Sequence, residues 1–150
     1  MTLDARTAAN IATLHPVAQT KAREFMILAT DLAARHGLTV KIISGLRSYT
    51  EQDALYAKGR TAPGPKVTNA KAGYSNHNFG TAWDIACFRG TRYITEHAAY
   101  REIGQAGKSL GLTWGGDFKS IKDEPHYEVP TGLNLAQMRE RVRSGTDLFA

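Results

Sequence analysis

The chain has 150 residues, 42% of them hydrophobic, which is enough for one globular domain with a buried core. No run approaches the ~20 apolar residues of a membrane span; the opening Met1-Thr-Leu-Asp-Ala-Arg, with its early acid, is unlike a secretory signal; and the one cysteine, Cys87, has no partner for an internal disulfide. The net charge of +5, from 19 Lys and Arg against 14 Asp and Glu, favours an acidic partner such as nucleic acid, anionic lipid or cell-wall polymer, but the basic residues are scattered and form no recognised nucleic-acid module.

Residues 4–13 are expected to form a short helix that His15-Pro16 breaks, since the residue before proline is pushed out of the helical region. From Pro16 to His36 the apolar residues Val17, Ala22, Phe25, Ala29, Leu32 and Ala33 follow helical spacing, and Gly37 is a natural stop. Leu38–Ser44 is rich in β-branched residues and predicts a strand. A helix from Glu51 to Lys58, capped by Thr50 with Asp53, should follow. Residues 60–74 hold Pro63, Gly64, Pro65 and Gly73 and read as a loop long enough to be functional or mobile.

Thr81–Phe88 predicts a second strand, with Trp83, Ile85 and Cys87 on the core face and Ala82, Asp84 and Ala86 on the other. The small alanines should leave space around Asp84, and a thiol at Cys87 should be buried and inert. Glu96–Leu110 predicts a helix with Ala99, Ile103, Ala106 and Leu110 inward, which Gly104 and Gly107 weaken. A short strand and turn over Gly111–Asp117, a polar loop at 119–124, a short strand His126–Val129 and a helix Asn134–Val142 complete the chain. In that helix Leu135, Met138 and Val142 are spaced to pack, and Arg139, Arg141 and Arg143 read as a solvated face. Strands and helices without a repeated βαβ rhythm imply an α+β fold.

Two stretches carry chemistry. In Ser75-Asn-His-Asn-Phe-Gly-Thr-Ala-Trp-Asp84, His77 and Asp84 are seven residues apart. On one strand they would point to opposite faces, and on one helix they would lie roughly 10 Å apart along the axis. A bend at Gly80, where positive φ is cheap, lets them converge. The second stretch, Asp123-Glu-Pro-His-Tyr-Glu128, adds His126 and more carboxylates. Two imidazoles and one carboxylate form a common catalytic zinc set with a position left for water, and a nearby carboxylate can take that water's proton. His15, His36 and His97 read as ordinary: one precedes a proline, one ends a helix and one begins a helix.

The first stretch resembles the Ser-x-His-x-x-Gly-x-Ala-x-Asp signature of the LAS zinc peptidases, which join lysostaphin-type, D-Ala-D-Ala-cleaving and hedgehog-like domains. Trp114, Gly115, Gly116 and Asp117, followed by Asp123, Pro125, His126 and Glu128, resemble the corresponding segment of the L-alanyl-D-glutamate endopeptidase branch. Ser44-Gly-Leu-Arg-Ser-Tyr-Thr-Glu-Gln52 is similar to the branch's Ser-Gly-aromatic-Arg-Ser…Gln stretch, with Leu46 where the aromatic stands. These blocks span Ser44 to Glu128 in the family's order.

The resemblance implies a compact LAS domain over residues 1–150, with one Zn²⁺ held by His77, Asp84 and His126, Asp123 as general base and Arg47 as the cation near the substrate. Glu124 and Glu128 are the rival bases, although Glu128 shares a strand face with His126 and could orient its imidazole. Ser75, Gln52, Tyr74, Trp114 and Asp117 are candidates for support or substrate contact. A Ser75-His77-Asp84 triad is the competing reading, but no nucleophile-elbow glycine pattern surrounds Ser75. The expected activity is a peptidoglycan endopeptidase acting on the stem peptide at L-Ala–D-Glu, as a monomer, without nucleic acid or membrane insertion. The expected setting is a phage-type endolysin made in the bacterial cytoplasm and released to the periplasm through a holin. The alternatives are a D-alanyl-D-alanine carboxypeptidase, a non-catalytic zinc or wall-binding module, and a basic nucleic-acid binder.

Overall fold

A computed structural model describes residues 2–150. Helix α1 (Ala5–Ala12) begins at Asp4, whose carboxylate accepts from the Thr7 amide at 3.0 Å and the Thr7 hydroxyl at 2.6 Å. The same helix finishes the outer edge of strand β1 (Thr39–Ser44). The Thr7 hydroxyl accepts from the Ile42 amide, and Asn10 donates to the Ile42 carbonyl, each at 3.0 Å. A bare strand edge would invite pairing with another chain, so these contacts close it.

Helix α2 (Pro16–Arg35) has Pro16 in its first turn, and His15 caps it through Nδ1, which accepts from the Val17 amide at 3.1 Å. Its buried stripe follows the sequence expectation at Ala22, Phe25, Ala29 and Ala33 and departs from it at the start of the helix. Ala18, Ala22, Phe25, Met26, Ala29 and Ala33 face the core, while Val17 is exposed. At the start of the helix Val17 and Ala18 are both apolar, and apolarity alone does not say which of them turns inward.

Among the described residues the sheet is antiparallel in the order β1–β2–β5–β4, formed with β2 (Ala82–Arg89), β5 (His126–Glu128) and β4 (Thr113–Trp114). The long strand β2 pairs with β1 along one edge. Its other edge is shared: β5 lies opposite Ala82–Asp84, and β3 (Arg92–Ile94) opposite Cys87–Arg89. Strand β3 was not anticipated; its signal is the turn glycine Gly90, at φ +63. The result is the expected α+β fold.

Helices α1, α2 and α4 (Ala98–Ser109) pack on the face formed by Trp83, Ile85 and Cys87, all fully buried. Phe25 lies 5.7 Å from the Trp83 ring and 4.4 Å from the Tyr127 ring. Burying each such side chain is worth about 1.5–3 kcal/mol. Burial also pushes the Cys87 thiol up to about 11, so it stays protonated. Gly104 and Gly107, which looked like weaknesses of α4, are points of closest approach. A Cβ on Gly104 would lie 2.2 Å from the Trp114 ring, and one on Gly107 would lie 2.7 Å from Tyr127.

Three further expectations are corrected. Helix α3 (Tyr49–Ala57) starts earlier than Glu51, because Ser48 and Glu51 form a reciprocal capping box at 3.0 and 3.2 Å. Asp53 instead accepts from the Ala72 amide at 2.8 Å and ties down the 60–74 loop. In helix α5 (Leu135–Ser144), Met138 packs against Phe79 and Leu148, but Val142 is exposed. Arg139 is not simply solvated: it donates to the Gly73 carbonyl at 2.8 Å and lies 4.1 Å over the Tyr74 ring. The space expected around Asp84 is present: Asp84 lines a cleft, while its neighbours Ala82 and Ala86 are fully buried.

Candidate metal centre

The Ser75–Asp84 stretch folds as a 3₁₀ turn, Asn76–Phe79, leading into β2. Ser75 Oγ accepts from the His77 amide at 3.2 Å, and Asn78 Oδ1 accepts from the Gly73 and Ser75 amides at 3.1 and 3.3 Å. Gly80 then turns the chain at φ +69, and a Cβ there would lie 2.9 Å from the His15 amide nitrogen. Residues with a Cβ pay a steric cost in this left-handed region. The turn sets His77 above Asp84 on β2, and antiparallel pairing places His126 directly opposite Asp84 on β5.

The three side chains meet at one point. His77 Nε2 is 3.1 Å from Asp84 Oδ2, and His126 Nδ1 is 3.2 Å from Asp84 Oδ1. One donor atom from each lies within 4.8 Å of the others. Two atoms each ~2.0–2.2 Å from a tetrahedral ion are ~3.3–3.5 Å apart, so the spacing suits Zn²⁺. The far ring nitrogens decide which atoms face inward. His77 Nδ1 lies 2.9 Å from the Gly45 carbonyl, which can only accept, so Nδ1 carries a proton and Nε2 is the nitrogen that faces the site. His126 Nε2 donates to Glu128 Oε1 at 2.8 Å, which turns Nδ1 toward Asp84.

The electrostatics agree. Burial opposes charge on Asp84, but hydrogen bonds from His126 and His77 outweigh it and hold the carboxyl well below the usual range. Burial likewise opposes charge on His126, yet Asp84 and Glu128 raise it to about 9. A metal entering near neutral pH therefore displaces a proton from His126. Apparent zinc affinity should rise by about tenfold per pH unit up to roughly 9, as one displaced proton requires; chelator competition at stepped pH measures this. Glu128→Ala should weaken zinc binding by about 10- to 100-fold, with unchanged circular dichroism.

A cleft of about 340 Å³ opens onto the cluster, lined by Arg47, Leu55, Val67, Thr68, Ser75 and Asp123 besides the three donors. Asp123 is drawn in by backbone pairing: its amide donates to the Gly115 carbonyl at 2.9 Å, and its carbonyl accepts from the His126 amide at 3.1 Å. Burial, then the charge of Asp84, raises the pKa of its carboxyl. A Cβ on Gly115 would lie 2.2 Å from the Asp123 carbonyl and 2.9 Å from His126 Cβ. Gly115→Ala should therefore displace both residues, lowering activity and zinc affinity together and costing about 1–3 kcal/mol of stability, read by calorimetric melting.

Arg47 is braced from the other side. Its amide donates to the His77 carbonyl at 2.8 Å, and its guanidinium donates to Gln52 Oε1 at 3.1 Å. Gln52 is fully buried and donates to the Ala70 carbonyl at 2.7 Å. Asn78, absent from the sequence candidates, donates to the Arg47 carbonyl at 3.0 Å. Its only local signal was an amide beside His77.

Several candidates lie elsewhere. Trp114 is buried and donates to the Glu124 carbonyl at 2.8 Å, so it packs beneath the site rather than lining the cleft. Asp117 pairs with Lys108 at 2.8 Å on the surface. The Glu124 side chain points to Arg101, 3.7 Å away. Glu128 and Ser75 stay at the site in supporting roles, Glu128 holding His126 and Ser75, on the cleft wall, holding the turn through Oγ. Tyr74 is outside the metal cleft, beneath Arg139, but lines the groove that adjoins it.

Comparison with known proteins gives concordant matches. The family model described as D-alanyl-D-alanine carboxypeptidase matches residues 68–129. The peptidoglycan L-alanyl-D-glutamate endopeptidase CwlK of Bacillus subtilis is 38% identical over 126 residues, covering 77% of this chain and 73% of that protein. Among solved structures, the Serratia marcescens L-Ala D-Glu endopeptidase ChiX superposes with a TM-score of 0.57 at 23% identity, covering 88% of this chain and 92% of its own. The vancomycin-resistance D,D-pentapeptidase VanY, solved with Zn(II), superposes with a TM-score of 0.54 at 18% identity, covering 90% and 81%. The two superpositions share the fold.

Proposed function

This chain belongs to the zinc peptidase family of the D-alanyl-D-alanine carboxypeptidases and L-alanyl-D-glutamate endopeptidases, and from that premise we propose that it hydrolyses the L-Ala–D-Glu bond of peptidoglycan stem peptides, as a monomer with one Zn²⁺. The observation that carries the choice of bond is the 38% identity to an endopeptidase of that specificity across most of both chains. The donor set His77, Asp84 and His126 supports the metal chemistry.

Bound there, Zn²⁺ supplies a Lewis acid that polarises a carbonyl and acidifies a water. The chain's own residues do the rest. Asp123, ionised and on the cleft wall, accepts a proton from the attacking water at a carboxylate oxygen. It then passes that proton to the amide nitrogen as the carbon–nitrogen bond breaks, so the D-glutamate side leaves as a neutral amine. Arg47 donates from its guanidinium to the carbonyl oxygen as negative charge develops there, and the brace from Gln52 holds it in that position.

Digestion of purified peptidoglycan with and without a chelator tests the reading. New N-terminal D-glutamate that disappears with chelator is the expected result. Free D-alanine with the alanine–glutamate bond intact would replace it with the carboxypeptidase reading. The finer role is host lysis as an endolysin: expression should lyse bacteria when a pore-forming holin is co-expressed and spare them without it, and survival in both cultures removes that role. Salt-dependent DNA binding without lytic activity would favour a nucleic-acid binder instead.

A further inference from the structure

We propose that a groove leading away from Asp123 holds the carboxylate-bearing peptide on the leaving-amine side of the scissile bond, with Lys66 and Lys122 as its specificity-determining cations. This rests on the endopeptidase reading above. Val67, Thr68 and Asp123, which line the metal cleft, also line a groove of about 760 Å³ that continues between residues 67–70 and 118–122. Beyond it, a recess of about 380 Å³ shares Val67, Thr68, Asn69 and Ile121 and adds Lys66. The three form one trough with Asp123 at the junction.

Direction follows from the proton. Asp123 serves the leaving nitrogen, so the chain released with that nitrogen begins at Asp123, where the trough begins. Charge follows from the lining. Lys122 and Lys66 stand along the groove and the recess, where Asp123 is the only acid in the lining among the described residues. Neither lysine has a carboxylate within ion-pair distance among the described residues, as is also true of Lys41, Lys58, Lys71 and Lys119, so both are open to an outside anion. Val67 and Ile121, 54% and 67% exposed, give the trough an apolar surface against which an aliphatic backbone can lie. The leaving segment of a stem peptide begins with D-glutamate, which keeps a free carboxylate, and ends in another. An anionic peptide is therefore the complementary occupant.

The test uses the zinc-loaded enzyme and two substrates, muramyl-L-Ala-D-Glu and a muramyl peptide two residues longer, whose terminal carboxylate reaches further along the trough. Lys66→Glu/Lys122→Glu should raise KM for the longer substrate by about tenfold, the effect of two reversed surface charges, while KM for the short one moves much less. Raising salt should weaken the wild type toward the variant. Arg89→Glu/Arg92→Glu, on the β2–β3 hairpin, makes the same change in net charge far from the trough and should not reproduce the effect. Equal losses on both substrates, or an equal loss in the hairpin variant, overturn the proposal. Calorimetric binding of the free D-Glu-led peptide reads the trough separately from cleavage. Binding weakened about tenfold by the lysine pair supports it even if the enzyme cuts another bond, and no binding overturns it.

Discussion

Asp123→Ala should retain zinc and lose about 100- to 10,000-fold in kcat, the range for removing a general acid–base group. The side chain is not among the three donor residues, so metal content should stay at the wild-type level. The loss should carry a pH signature. Burial, then the charge of Asp84, makes Asp123 take up its proton at a higher pH than an ordinary carboxyl. Because the base works ionised, activity falls as pH drops through that raised pKa, and the residual activity of the variant should lack this part of the acid limb. A pH profile of kcat/KM with zinc content measured at each point separates it from metal loss through His126. Wild-type lysis by zinc-loaded Asp123→Ala would reject Asp123 as the base.

Asp84→Ala should abolish activity by another route, with zinc affinity falling by more than the roughly 100-fold that outer-shell changes cost. Among the described residues Asp84 alone pairs with both imidazoles, through separate oxygens at 3.1 and 3.2 Å. Removing it takes away a metal donor and the negative charge that orients two buried rings. Excess zinc should restore little activity, and zinc content after dialysis together with the melting temperature will show an empty but folded protein. If Asp84→Ala keeps full zinc and activity, the site lies elsewhere.

The difference between the two variants follows from how each residue reaches the cleft. His77 and Asp84 were legible as a pair because seven residues and a glycine allow only a bent connection, and the chain does bend at Gly80. The long elements were legible for a similar local reason: α2 and β2 carry sustained periodicity. Errors arose where neighbours outside the segment decided the outcome. Val17 looked inward until Ala18 took its place against the sheet, and Gly104 looked like a flaw in α4 until Trp114 occupied the space a side chain would fill. Short strand β3 and the brace through Asn78 depend on contacts with β2 and Arg47 that no local pattern encodes.

The chemistry, then, was in the sequence by itself: two histidines, the carboxylates and the glycines between them restrict what these stretches can do, because ligand type and backbone freedom are properties of residues. Only the tertiary structure decided which atoms meet. Register against β2 sets His126 opposite Asp84, the Gly45 carbonyl and Glu128 select the inward nitrogen of each imidazole, and the fold sends Glu124 and Asp117 away to Arg101 and Lys108. Those outcomes rest on hydrogen bonds and ion pairs between residues up to 42 positions apart, and only the folded chain brings such residues within reach.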